Sequence, residues 1–316
     1  MNQGERVAYY QGSIVPEREV LIPFRDAGST RAEGAYDSAR TFGGVVFRLR
    51  VHLLRLDRSL QYLRIDLPIP MRELESISLE IARQNYLIVG GDVWVTQRVT
   101  RGVPREWGGD GQPLLIVESL PIPFAARARS FRDGVRLMTS TLRRTPPWAI
   151  SPQAKTLNLL NLTLGAGEVH AIDPGAWPIL TDENGNLAEG AGANVFAVLD
   201  GTLVTPRRRY VLAGITRQVV MDLARAAGIP VEERDIDLYE AYVADELFIT
   251  STSLCICPAS DINGRSVRTP VPGPITRRMQ EAFSALVGIN VVRQYLDALP
   301  SEEGPVAAVE PRPLRS

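Results

Sequence analysis

A chain of 316 residues, 45% of them hydrophobic, is long enough for two domains of ordinary size, each with its own buried core. A net charge of -1 at pH 7 and a pI near 6.2 supply no general attraction for nucleic acid or for an anionic membrane, so neither is expected as a partner. The start, MNQGERVAYYQG, lacks a secretory pattern and no run of about 18 apolar residues occurs, which makes the cytoplasm the expected location.

In chain order, the first strand signal is Val45 to Leu49. Leu53, Leu56, Leu60 and Leu63 then recur at helical spacing between Arg50 and Ile65, and Leu74, Ile77 and Ile81 repeat the pattern in a second helix. Both helices are expected to lie on a sheet, with further strands at Val93–Thr100 and Leu114–Glu118 joined by the Gly- and Pro-rich loop RGVPREWGGDGQP. This is an α+β first domain over residues 1–122. In SLPIPFAARARS prolines and small residues interrupt the periodicity, so a linker is expected near residues 120–130. A larger α/β domain over 123–300 follows. It has a helix after residue 155, hairpins at Asn184-Gly185, Asp200-Gly201 and Asn263-Gly264, and helices starting near Ile215 and Pro274. Residues 301–316, SEEGPVAAVEPRPLRS, have the composition of a disordered tail. Cys255, Cys257, His52 and His170 are the only cysteines and histidines. They read as packing or surface residues, and no metal is expected.

Of the 35 basic side chains, Lys155 is the sole lysine. An arginine-rich composition could leave one lysine by chance, but lysine has a capacity that arginine lacks. Its amine can lose its proton near neutral pH and condense with a carbonyl to form a Schiff base. A lysine that holds pyridoxal 5'-phosphate in this way also needs an anion site for the phosphate and a carboxylate for the ring nitrogen. VLAGITRQVVMDLARAAG supplies the first, since a helix starting at Ile215 and Thr216 offers free N–H groups and a hydroxyl. NGNLAEGAGANVF supplies the second, with Glu189 near the end of a strand and glycines on either side of Ala191. Taken singly, the helix start is equally an ordinary cap and Glu189 equally a solvated turn residue.

Together, QAKTLNLLN, LAEGAGANVF, LAGITR and ELFITSTS, in this order, resemble the class IV aminotransferases, the fold type IV pyridoxal-phosphate family. GAYD, VVFRLRVHLLRLDRSL and VTRG extend the likeness over residues 20–290. The resemblance implies a two-domain fold with mixed α/β character and pyridoxal 5'-phosphate as cofactor. It also implies a ping-pong transfer from an amine or amino-acid donor to a 2-oxo acid through a Lys155 Schiff base, in a homodimer. It makes Lys155 the catalytic acid/base and places Glu189 at the pyridine nitrogen. Arg55, Ile215, Thr216 and Thr252 are then phosphate ligands.

Within the family, GSTRAEGAYDSARTFGGVVFRL is most similar to D-amino-acid aminotransferases and (R)-selective amine transaminases, where Tyr36 matches a tyrosine and branched-chain enzymes usually have phenylalanine. Leu160 stands where branched-chain enzymes usually have tyrosine. A D-amino acid or (R)-amine donor is therefore expected, with a branched-chain L-amino-acid aminotransferase using 2-oxoglutarate as the alternative. A 4-amino-4-deoxychorismate lyase or a catalytically silent binding protein stands behind both. Arg31 and Arg105 are the candidates for meeting a substrate carboxylate, Arg31 across a dimer interface, although either is equally at home on an arginine-rich surface.

Overall fold

The computed structural model describes residues 4–299. The tail expected over 301–316 lies outside the described residues. Residues 7–121 form a six-stranded antiparallel sheet in the order β2-β1-β6-β5-β3-β4. Its strands are β1 (Val7–Tyr10), β2 (Ser13–Pro16), β3 (Gly34–Phe42), β4 (Val45–Val46), β5 (Val93–Thr100) and β6 (Leu114–Pro121), and a short helix α1 (Ala27–Arg31) precedes β3. Helices α2 (Leu49–Leu63) and α3 (Met71–Val89) cover one face. Leu53, Leu56 and Leu60 of α2 and Leu74 and Ile81 of α3 are buried against Ala35, Ala39, Val95 and Val99, the packing expected from the leucine spacing. The stretch expected as a strand over 45–49 is shorter. β4 ends at Val46, and Arg48, in a left-handed conformation, turns the chain into α2.

The segment expected as a linker is instead α4 (Phe124–Asp133), which buries Ala128 and Phe131. The prolines at 121 and 123 fix its start, since a helix readily begins after proline. Beyond it the strands are β7 (Val135–Arg143), β8 (Trp177–Thr181), β9 (Leu187–Gly190), β10 (Ala193–Leu199), β11 (Thr202–Thr205), β12 (Val231–Glu233), β13 (Glu246–Ser251), β14 (Cys255–Ile262) and β15 (Arg265–Ser266). The order β10-β13-β14-β7-β8-β9 closes on itself because β9 also pairs with β10, while β11 and β12 continue outward from β10. The ring is packed with aliphatic and aromatic side chains, among them the stacked pair Phe196 and Phe248.

Helices α5 (Leu160–Ile172), α6 (Ile215–Ala226), α7 (Leu238–Val243), α8 (Pro274–Val287) and α9 (Val291–Leu296) surround it. The Asp200-Gly201 and Asn263-Gly264 turns have positive φ at both residues, the conformation that such pairs favour in tight hairpins. Cys255 and Cys257 are buried free thiols. Among the described residues no helix is long and apolar enough to cross a membrane, and no cluster of acidic, histidine and cysteine side chains could hold a metal.

Candidate active site

Lys155 lies in the segment between β7 and α5, and that segment is fastened to the first sheet. Tyr36 N–H donates to the Lys155 carbonyl (3.0 Å), Leu157 N–H donates to the Gly34 carbonyl (2.9 Å), and Lys155 N–H donates to Ser59 Oγ on α2 (3.0 Å). The lysine backbone thus runs beside β3 as a short extra strand. Its Nζ sits 4.3 Å from the centre of the Tyr36 ring.

The cavity in front of Lys155 is also lined by Arg55, Arg144, Glu189, Asn194, the start of α6 and Thr250–Thr252. The structure therefore brings together seven residues singled out from the sequence: Lys155, Tyr36, Arg55, Glu189, Ile215, Thr216 and Thr252. Glu189, the last residue but one of β9, lines this space, and the Ala191-Gly192 turn follows the strand, with Gly192 at φ 145°. One of its oxygens accepts from Arg144 Nε and the other from Leu212 N–H, both at 2.8 Å. Each carboxylate oxygen can accept more than one hydrogen bond, so Glu189 keeps acceptor capacity for a group in the cavity.

Arg55 is held more tightly than the sequence suggests. Asp37, the residue after Tyr36 on β3, is fully buried and accepts from Arg55 Nε (2.7 Å) and from a terminal Arg55 nitrogen (2.8 Å). His52 Nδ1 lies 2.7 Å from the same carboxylate, and the other terminal nitrogen of Arg55 donates to the Ala213 carbonyl (2.9 Å). Of the five N–H groups of a guanidinium, two are left over for a ligand. Burial alone would push the Asp37 carboxyl up, but Arg55 and His52 together hold it well below the usual carboxylate range. Burial lowers His52, with the Arg55 and Lys155 charges adding to the effect against the pull of Asp37. Its Nδ1 is the ring nitrogen that faces the Asp37 carboxylate. His52, read from the sequence as a packing or surface residue, is buried against Asp37, the carboxylate that holds Arg55.

Helix α6 begins at Gly214 without a side-chain cap, so the N–H groups of its first turn point, unsatisfied, at the cavity. Gly214 is required by space. A Cβ there would come within 2.0 Å of Asn194 Oδ1, while Asn194 Nδ2 donates to the Leu212 carbonyl (3.0 Å). Asn194, given no role from the sequence, thus shapes the turn that presents α6. Thr250 Oγ1 lines the same cavity, buried and without a hydrogen-bond partner. Free helix N–H groups, two free guanidinium N–H groups, an orphaned hydroxyl and a carboxylate beyond them fit a phosphate-bearing, nitrogen-containing ring such as pyridoxal 5'-phosphate.

Arg31 and Arg105 are not brought to this cavity within the chain. Arg31, 53% exposed at the end of α1, stacks on the Trp107 ring at 4.1 Å, and Arg105 Nε donates to the Asp110 carbonyl. The two form a separate surface cluster. Asp37, His52 and Arg144 were missed in the sequence. The available signals were the i, i+3 spacing of His52 and Arg55 opposite a strand carboxylate, and the arginine pair before the prolines in RRTPPW.

The model of the amino-transferase class IV family matches residues 34–262. A Methanocaldococcus jannaschii protein named "Putative branched-chain-amino-acid aminotransferase" is 35% identical over 284 residues, covering 87% of this chain and 94% of the relative. The D-alanine aminotransferase of Bacillus licheniformis is 30% identical over 279 residues, covering 87% and 94%. Among solved structures, a T.th. branched-chain amino acid aminotransferase with pyridoxamine 5'-phosphate superposes with a TM-score of 0.81 at 26% identity, covering 90% of this chain and 95% of that one. The chain belongs to the class IV aminotransferases and is a pyridoxal-phosphate-dependent enzyme of that family.

Proposed function

We propose that this aminotransferase takes its amino group from a D-amino acid or an (R)-amine and passes it to a 2-oxo acid, working as a homodimer. The observation that carries the donor reading is Tyr36, whose ring faces the Lys155 amine at 4.3 Å. It stands where the D-amino-acid and (R)-amine enzymes have tyrosine. When bound, the cofactor would supply an aldehyde and an electron-withdrawing ring. Lys155 would hold the cofactor through its amine and would move the proton at the substrate carbon. Glu189, oriented by Arg144 and Leu212 N–H, holds the proton of the ring nitrogen. Arg55, the first turn of α6 and Thr252 bind the phosphate.

The names of several relatives favour a second reading, a branched-chain L-amino-acid aminotransferase. Against it stands Leu160, which is 64% exposed and does not line the cavity, at a position where those enzymes usually have tyrosine. Dimerisation is supported by α5, an apolar helix that buries only Gly165 and Val169 and leaves Leu160, Leu164 and Ile172 exposed.

The test is the donor half-reaction of the cofactor-loaded enzyme, followed by absorbance with D-alanine, (R)-1-phenylethylamine and L-leucine, each without a keto acid. Conversion by D-alanine or the (R)-amine is expected. Conversion by L-leucine alone would overturn the donor reading, and a monomer by sedimentation would overturn the dimer.

A further inference from the structure

A second cavity, of about 460 Å³, lies behind the phosphate corner, between α2, residues 151–154 and the start of α6. It shares Arg55, Ala154, Gly214, Ile215 and Arg217 with the cavity in front of Lys155. Five arginines line it: Arg48, Arg55, Arg58, Arg208 and Arg217. Arg55 is neutralised by Asp37, and Arg217 by Glu233 at 2.8 Å, which is the one acidic side chain of the lining. Arg48, Arg58 and Arg208 have no carboxylate partner among the described residues, whereas Arg6, Arg50, Arg83, Arg136 and Arg144 each have one.

Arg48, which stacks on the Phe47 ring, and the exposed Arg58 and Arg208 therefore line one cavity without a compensating carboxylate, in a chain whose net charge is close to zero. A concave, low-dielectric wall focuses such a field and raises the local anion concentration. The chemistry of the lining selects among anions. A planar carboxylate satisfies one guanidinium fork, whereas a tetrahedral phosphate dianion presents oxygens to several forks approaching from different sides. Arg48, Arg55 and Arg58 come from the N-terminal end and one flank of α2, and Arg208 comes from the 208–210 turn ahead of α6. The volume exceeds what an inorganic phosphate fills, leaving room for an ester substituent.

We propose that this arginine-walled cavity is a second phosphate site, binding inorganic phosphate or a phosphate monoester next to the cofactor's own phosphate. Its position beside the cofactor rests on the reading of Arg55 and α6 given above, while the binding rests on Arg48, Arg58 and Arg208. Two sources offer this chemistry: free phosphate, and a cofactor molecule held on its way to the site.

The experiment uses enzyme whose cofactor has been fixed by borohydride, titrated with inorganic phosphate at low ionic strength by calorimetry and ³¹P NMR. Saturable binding of one phosphate per chain is expected, weakened at least tenfold in the Arg58→Ala/Arg208→Ala double variant. Both side chains are exposed and unpaired, so the folded state and the cofactor spectrum of that variant should match the wild type. An Arg64→Ala/Arg72→Ala variant removes the same charge elsewhere and should bind phosphate normally.

Non-saturable uptake, equal affinity in the Arg58/Arg208 variant, or an equal loss in the Arg64/Arg72 control would overturn the proposal. Rapid-mixing capture of pyridoxal 5'-phosphate by cofactor-free protein separates the two sources. Slower capture in the Arg58/Arg208 variant, with unchanged final occupancy, identifies the arriving cofactor, and unchanged capture identifies free phosphate. Should borohydride fail to fix the cofactor, the Lys155 assignment fails, while the phosphate titration still reads the three arginines.

Discussion

Replacing Arg55 with glutamine removes the cation that compensates Asp37. That carboxylate is 0% exposed and accepts two bonds from Arg55, at 2.7 and 2.8 Å, with His52 at 2.7 Å and Ser38 N–H at 2.8 Å as its other partners. Breaking a buried ion pair from one side costs about 3–5 kcal/mol, mostly because a charge is left without compensation. Adding Asp37→Asn removes that charge and leaves the loss of hydrogen bonds worth about 1 kcal/mol each, so the double variant should be about 2 kcal/mol more stable than Arg55→Gln.

Cofactor binding should behave differently. Charge-assisted bonds to the phosphate contribute about 1.5–3 kcal/mol, so single and double variants alike should bind pyridoxal 5'-phosphate roughly 10- to 100-fold more weakly. Urea unfolding of the cofactor-free proteins reads the first quantity, and titration with cofactor reads the second. The pH dependence adds a third readout. In the wild type, burial lowers His52, so the unfolded chain takes up that proton more readily and stability falls as the pH drops below about 6.5. In Arg55→Gln one cause of that lowering is gone and Asp37 needs a cation, so the deficit should be smaller near pH 5.5 than at about pH 8. A double variant no more stable than the single one, or recovered cofactor affinity in the double variant, would refute the assignment of Arg55 as both counterion and phosphate ligand.

Lys155→Ala and Lys155→Arg should both abolish borohydride fixation of the cofactor, checked by mass spectrometry of the treated protein. Fixation surviving in either variant would remove Lys155 from its role. Glu189→Gln should retain cofactor while the donor half-reaction slows on the order of 100-fold, measured by single-turnover absorbance. Gly214→Ala places a Cβ 2.0 Å from Asn194 Oδ1, so cofactor affinity should fall by an amount comparable to about 1–3 kcal/mol of overpacking. Asn194→Ala in the same chain should restore much of it, as a cofactor titration would show.

What could be read from the sequence was what depends on near neighbours along the chain. The leucine spacing of α2 defined the face that is buried on the first sheet, and Asp200-Gly201 and Asn263-Gly264 specified turns through their tolerance of positive φ. The closure of the second sheet through β9 and β10 was not legible, because it depends on pairing each strand with a partner on both sides. Nor was α4, whose short amphipathic pattern is obscured by three arginines. The Asp37–His52–Arg55 cluster lay between these cases. Tyr36 and Asp37 alternate across β3, one reaching Lys155 and the other the helix behind the sheet, but only the packing of α2 on β3 turns that alternation into a salt bridge.

The same contrast explains why one lysine persists among so many arginines. Arg55, Arg101, Arg144 and Arg217 each direct several N–H groups to separate oxygen acceptors on the surrounding backbone and side chains, a use that suits a planar fork. Lys155 has no such acceptor. Among the described residues its Nζ has no carboxylate partner and faces the Tyr36 ring and the cavity. No carboxylate pairs with this amine and its backbone is fastened to β3 and α2, so the side chain is held in place at the cavity and left free to form a covalent bond, a task that a guanidinium cannot perform.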